Sequence, residues 1–94
     1  MNIIECIPTG KNNAITRSQL CAVTGYGDRV VRKAIEQARH DGAIIINDQD
    51  GLGYYQTDDI SIIERQYHQN ESRAKSILHY QKALRTALKE AGRL

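Results

Sequence analysis

The feature that most narrows how this chain can fold is a glycine-bounded break, Gly25-Tyr26-Gly27, between two stretches of helical periodicity. Before it, Thr16-Arg17-Ser18-Gln19 fits a capping box, in which the Thr16 hydroxyl accepts from the Gln19 amide and the Gln19 side chain reaches back. This predicts a helix from Arg17 to about Thr24, with Leu20 and Val23 inward and Cys21 or Ala22 beside them. After the break, Asp28 suits an N-cap. A second helix then runs from Arg29 to about Asp41, with Gly42 where a left-handed C-cap belongs. Its inward stripe is Val30, Val31, Ala34, Ile35 and Ala38, and its outward face carries Arg29, Arg32, Lys33, Glu36 and His40. Two helices joined by a short turn containing Gly form a helix-turn-helix, whose second helix can enter the major groove of DNA.

The flanking segments add a few further elements. Ile3, Ile4 and Ile7 recur at helical spacing, so residues 2–7 read as a short helix stopped by Pro8, followed by a polar loop over 10–13. Ala14-Ile15-Thr16 reads as an extended stretch able to pair with a later strand. Residues 43–47 and 52–56 are two strands around the turn Asp48-Gln49-Asp50-Gly51, a β-hairpin. Tyr54 and Tyr55 should then point to opposite faces, one to the core and one outward. Thr57 and Asp58 can cap a final helix, on which Ile60, Ile63 and Tyr67 would lean on the core. From Asp59 to about Ala91 no Pro or Gly interrupts the helical pattern. One helix of that span would be about 50 Å long, and Asn70-Glu71-Ser72 is where it could divide in two. The expected fold class is mainly α with a small β-hairpin wing: a winged helix-turn-helix domain over 1–58 and a C-terminal helical arm over 59–94.

Several runs carry a family resemblance: Ala14-Ile15-Thr16-Arg17-Ser18-Gln19-Leu20, Thr24-Gly25-Tyr26-Gly27-Asp28-Arg29-Val30-Val31-Arg32-Lys33-Ala34-Ile35, Ala38-Arg39-His40-Asp41-Gly42 and Gly51-Leu52-Gly53-Tyr54-Tyr55. On these, residues 14–57 resemble the winged-helix DNA-binding domain of biotin-operon-repressor type. The resemblance implies a three-helix core with a two-stranded wing, helix 29–41 as recognition helix and the turn Asp48 to Gly53 as wing tip. The whole chain is also similar to small winged-helix proteins of bacterial and phage-related gene clusters. Nothing after residue 57 reads as a ligase or ligand-binding domain, so biotin chemistry is not expected to carry over.

Composition excludes more than it selects. Trp and Phe are absent, so Ile, Leu, Val, Ala and Tyr must fill the core. No apolar run is long enough to span a membrane. The start lacks a basic n-region and carries Glu5, so it does not read as a secretory signal, and a cytoplasmic location is expected. Cys6 and Cys21 form no Cys-x-x-Cys pair and read as buried thiols. His40, His68 and His79 follow no metal-ligand spacing. No nucleophile triad, paired carboxylates or phosphate loop stands out, so neither enzyme activity nor a cofactor or metal is expected. The charge is unevenly spread. Residues 1–63 hold six basic and eight acidic side chains, whereas residues 64–94 hold seven basic and three acidic.

The expected function is double-stranded DNA binding in a transcriptional or phage-related regulatory role, read through the major groove by helix 29–41. Arg29, Arg32 and Lys33 would contact bases, and Glu36 could accept from cytosine N4 or pair with Arg32 or Lys33. Arg17 and Ser18 would hold a phosphate at the start of the preceding helix. In the arm, Ala74, Ile77, Leu78, Gln81, Leu84 and Leu88 form a stripe near the 3.5-residue period, with Tyr80 at its margin. This predicts a homodimer through a coiled coil, with docking on another protein and folding back on its own domain as the other readings. The alternative is a winged-helix protein-interaction module that does not touch DNA. The wing favours that alternative, because it carries Asp48 and Asp50, no Lys or Arg, and would be repelled by phosphates.

Overall fold

Thr16 opens the first long helix as the local chemistry requires. Its hydroxyl accepts from the Gln19 amide at 3.1 Å, and Gln19 Oε1 accepts from the Thr16 amide at 2.8 Å. The computed structural model describes residues 2–48 and 50–94. Gln49, which the sequence places in the hairpin turn, lies outside the described residues. The chain runs α1 (Ile3–Cys6), a single 3-10 turn (Lys11–Asn13), α2 (Arg17–Thr24), α3 (Asp28–His40), β1 (Ile45–Asn47), β2 (Tyr54–Gln56) and α4 (Ile60–Glu90). It is mainly helical, with one two-stranded antiparallel hairpin and a long C-terminal helix. The residues group into two units, Met1–Ile63 and Glu64–Leu94. No helix among the described residues is long and apolar enough to cross a membrane.

The turn between α2 and α3 depends on Gly25, whose φ of 76° closes α2 in the left-handed conformation that only Gly enters freely. At the start of α3 the structure corrects the expectation. Gly27 is the N-cap and Asp28 is the first helical residue, making no capping bond. A carboxylate in the first turn still suits the positive end of the helix, and Asp28 is engaged elsewhere, as described below.

Leu20, Val31, Ile35 and Ala38 meet Ile3, Ile7, Ile45 and Tyr54 in one core, with Ile4, Ile15, Cys6, Cys21, Ala34 and Ala43 packed against it. Each large apolar side chain in it stabilises the fold by about 1.5–3 kcal/mol. Two residues assigned inward are outside this core. Val23 is 67% exposed and Val30 49% exposed. Val23 stands in the last turn of α2, one turn past Leu20. Val30 is about 100° around the helix from Val31 and falls off the edge of the buried stripe.

The hairpin aligns Ile45 with Gln56, Ile46 with Tyr55 and Asn47 with Tyr54. Ile15 extends it by exchanging backbone bonds with Tyr54 at 2.9 and 2.7 Å, the pairing expected of residues 14–16. On the same strand, the Gln56 side-chain amide donates to the carbonyls of Ile4 and Ile7 at 2.9 and 2.8 Å, satisfying acceptors at the end of α1. Arg39 donates to the Ile45 carbonyl at 2.8 Å and lies over the Tyr54 ring, tying α3 to the hairpin. Both tyrosines are buried, so neither faces outward, against the expectation that one of the two would. The strand alternates as predicted, but protein covers both faces, and the Tyr55 hydroxyl is satisfied by Asp48 at 2.7 Å.

α4 is continuous through Asn70-Glu71-Ser72. Asp59, rather than Asp58, caps it by accepting from the Ser61 amide at 2.9 Å, while the Thr57 hydroxyl accepts from the Asp59 amide. The helix ends in a Schellman-type turn: Gly92 has φ 72°, and the Arg93 amide donates to the Leu88 carbonyl at 2.8 Å. Ile60 and Tyr67 are exposed, against expectation, and α4 buries none of its residues.

One glycine tests this architecture directly. Gly53 has φ +104°, and a Cβ built there would lie 2.1 Å from the Ile15 carbonyl oxygen. Gly53→Ala should lower stability by about 2–4 kcal/mol, from backbone strain and a clash with backbone that cannot yield. Gly51→Ala, with φ +84° but open space, should cost only the strain, about 1 kcal/mol. Urea denaturation of both variants measures this; equal losses would mean that the close approach of Ile15 contributes nothing.

Candidate nucleic-acid interface

α3 turns 100° per residue, so burying Val31, Ile35 and Ala38 aims a fixed set of side chains away from the core. That set is Arg29, Arg32, Lys33, Glu36 and His40, all exposed, with the three cations in the first half of the helix. Arg29 and Lys33 form no ion pair with any described residue. Glu36 lies 3.8 Å from His40 one turn on, a charge pair only when His40 is protonated.

Asp28 joins the starts of the two helices. One carboxylate oxygen accepts from Arg17 Nε and the other lies 3.6 Å from Arg32 Nη1. Asp28 holds the Arg17 proton more firmly than usual, with the Tyr54 hydroxyl contributing second. Arg17 also lines a cleft with Asn47, Gly51, Gly53 and Tyr54, between the start of α2 and the hairpin turn. Ser18 is exposed in the first turn of α2. The structure thus divides the expected site residues. Arg29 and Lys33 stand free, while Arg17 and Arg32 share one carboxylate. That group of two cations and one anion keeps a net positive charge. All of these pairs are solvent-exposed, where an ion pair is worth little and an incoming anion can replace it.

The acidic hairpin turn is also occupied. Lys11, from the 3-10 turn, lies 3.3 Å from Asp48 and 3.2 Å from Asp50. Asp50 further accepts from the Leu52 amide at 3.1 Å. From sequence, residues 10–13 are a polar loop and the two aspartates carry no partner. The ion pairs instead give each carboxylate a cationic partner, reducing the negative field the turn presents.

Cys6 and Cys21 are half-buried free thiols against the core. Among the described residues no cluster of His, Cys, Asp or Glu has the geometry to hold a metal. On α4, Ala74, Ile77, Leu78, Gln81, Leu84 and Leu88 are all exposed, as is Tyr80.

The turn's charges set a pH dependence. The Leu52 amide, and then Lys11, hold Asp50 below its ordinary value of 3.8. Asp50 and then Asp48 hold Lys11 above its ordinary 10.5. The carboxylate's support for the turn is present above pH 3.8 and is lost as pH falls through its depressed value. The lysine's support is present below pH 10.5 and is lost as pH rises through its raised value. Followed by its carboxyl carbon shift, Asp50 should titrate with a midpoint below 3.8. In Lys11→Met that midpoint should rise, because the lysine's bond and charge are lost while the Leu52 amide remains. An unchanged midpoint would separate Lys11 from the turn.

No protein-family model, curated protein or solved structure matches this chain.

Proposed function

We propose that this protein binds double-stranded DNA as a homodimer, with α3 in the major groove, as a cytoplasmic transcriptional or phage-related regulator. The observation that carries the reading is the face of α3 opposite its buried stripe, where Arg29 and Lys33 project unpaired and Arg32 stands beside them. An α-helix fits the major groove. Arg makes a bidentate pair with guanine O6 and N7, and Lys is a compact donor to guanine or phosphate. Glu36 on the same face suits the cytosine amino group. Arg17 and Ser18 meet a phosphate at the start of α2, where the helix dipole favours an anion. Asp28 is then a resident competitor that a phosphate displaces from Arg17, leaving Asp28 to orient Arg32. The pairing of Lys11 with Asp48 and Asp50 lets the hairpin turn approach a duplex with less repulsion.

The homodimer reading rests on α4. Its exposed stripe of Ala74, Ile77, Leu78, Gln81, Leu84 and Leu88 is apolar surface that association would remove from water. A two-fold dimer would carry two recognition helices to a two-fold site.

One observation favours the module that binds another protein and not DNA. Val23, Tyr26 and Val30 are all exposed at or beside the α2–α3 turn. Apolar side chains there suit a protein partner better than a phosphate backbone.

Fluorescence anisotropy on random and host-derived duplexes separates the two readings. For about six neutralised phosphates, log K against log salt should fall with a slope of about −5. No binding to any duplex at low salt would transfer the assignment to the interaction module. On a preferred duplex, Arg29→Ala should cost about 1–3 kcal/mol and relax preference at one base position. Arg17→Ala should weaken all duplexes alike, since backbone contacts position without reading sequence. Equal losses for Arg29→Ala on preferred and random DNA would remove α3 from base reading.

A further inference from the structure

The exposed stripe on α4 carries information about orientation. Within the unit Glu64–Leu94, the seam positions are Tyr67, Asn70, Ala74, Ile77, Gln81, Leu84 and Leu88, with steps alternating three and four. In heptad terms Tyr67, Ala74, Gln81 and Leu88 occupy a, and Asn70, Ile77 and Leu84 occupy d. All seven are exposed in the single chain. We infer that the occupant of this seam is a second copy of the same helix lying antiparallel, with the two-fold axis passing between Lys75 and Ser76. This rests on the homodimer reading above and adds the direction and register of the partner.

The argument is complementarity, layer by layer. In an antiparallel pair each a position faces a d position of the other chain. About that axis, Tyr67 faces the partner's Leu84, Ala74 faces the partner's Ile77, and Asn70 faces the partner's Gln81. Each layer occurs twice by symmetry. Small thus meets large in the central layers, as close packing without voids requires. The two seam amides meet each other, and each amide can both donate and accept. Beside the seam, the e positions pair across the axis, so Glu64 faces the partner's Arg85. Arg85 forms no ion pair with any described residue, and Glu64 has only His68, at 3.8 Å. Arg73, at g, faces the partner's Tyr80, within range of a cation–π contact.

A parallel pair has none of these matches. Every layer then repeats itself: Ala74 on the partner's Ala74 leaves a gap, and Asn70 and Gln81 make two separate polar layers. Arg85 meets the partner's Tyr80 instead of a carboxylate, and Glu64 finds no cation across the seam.

Disulfide mapping on the full chain tests the orientation. In a Cys6→Ala, Cys21→Ala background, Tyr67→Cys and Leu84→Cys are combined and the protein is oxidised. Cleavage after Arg65, Arg73, Lys82 and Arg85 puts the two new thiols on separate peptides. Within one helix these positions are about 25 Å apart, so a bond between them must join two chains. Peptides linking position 67 to position 84 are the expected result. Links of 67 to 67 and 84 to 84 would overturn the antiparallel register while leaving a DNA-reading dimer intact. A chain that stays monomeric in sedimentation at tens of micromolar, with no cross-link, would overturn both. Independently of cysteine, Glu64→Arg and Arg85→Glu should each weaken the dimer by roughly threefold to tenfold, and the double variant should restore it. Additive weakening in the double variant would overturn the pairing of Glu64 with the partner's Arg85.

Discussion

The backbone exchange between Ile15 and Tyr54 fixes where α2 begins. It places the strand β2 beside the residue just before the α2 cap, so Thr16 opens α2 at a set point and Arg17 emerges next to Tyr54. Gly53 makes this approach possible, because any side chain there would occupy the Ile15 carbonyl. The same strand then reaches the other way: Gln56 binds the last carbonyls of α1, and Tyr54 enters the core beneath α3. A three-residue strand therefore organises three helices.

The exposed charge of this body is arranged in small compensated groups. Lys11 binds the two carboxylates of the hairpin turn, and Asp28 binds two guanidiniums across the helix-turn-helix. Each group is shallow, so water and salt weaken it, and each holds its long side chains near one geometry. On α3 the only cations outside such groups, apart from Arg39 on the hairpin, are Arg29 and Lys33. That contrast singles them out more clearly than their charge does.

Local signals are legible in the sequence because their causes are local. The Thr16–Gln19 box, the left-handed Gly25 and Gly42, and the pairing of residues near Ile15 with the hairpin follow from neighbouring residues and a short list of allowed conformations. Signals that depend on distant partners were not legible. Lys11 and the hairpin aspartates are far apart in sequence, and nothing in a polar loop announces which carboxylate it will meet. Asp28 satisfies the residue preference for a cap, yet residue type alone cannot separate an N-cap from the first helical position, where Arg17 takes one of its oxygens and Arg32 lies near the other. Periodicity centred the stripe on Val31 and Ile35 but could not mark its edges, which is why Val23 and Val30 were placed inside. Strand alternation assigned Tyr54 and Tyr55 to opposite faces without showing that both would be covered. The candidate site was legible as a set of side chains on one helix, but its division into free and engaged cations was not.

α4 buries none of its residues, so little beyond the helix itself holds it in shape. A helix without tertiary support is held only by propensity and its own backbone bonds, and such helices open readily along their length. Whatever covers the stripe also orders the segment, so the fraction of ordered arms follows mass action with the concentration of the covering surface. An opened backbone is what proteases cut, so a helix left uncovered is also the more cleavable one. The order of the arm and the concentration of whatever covers its stripe are therefore linked.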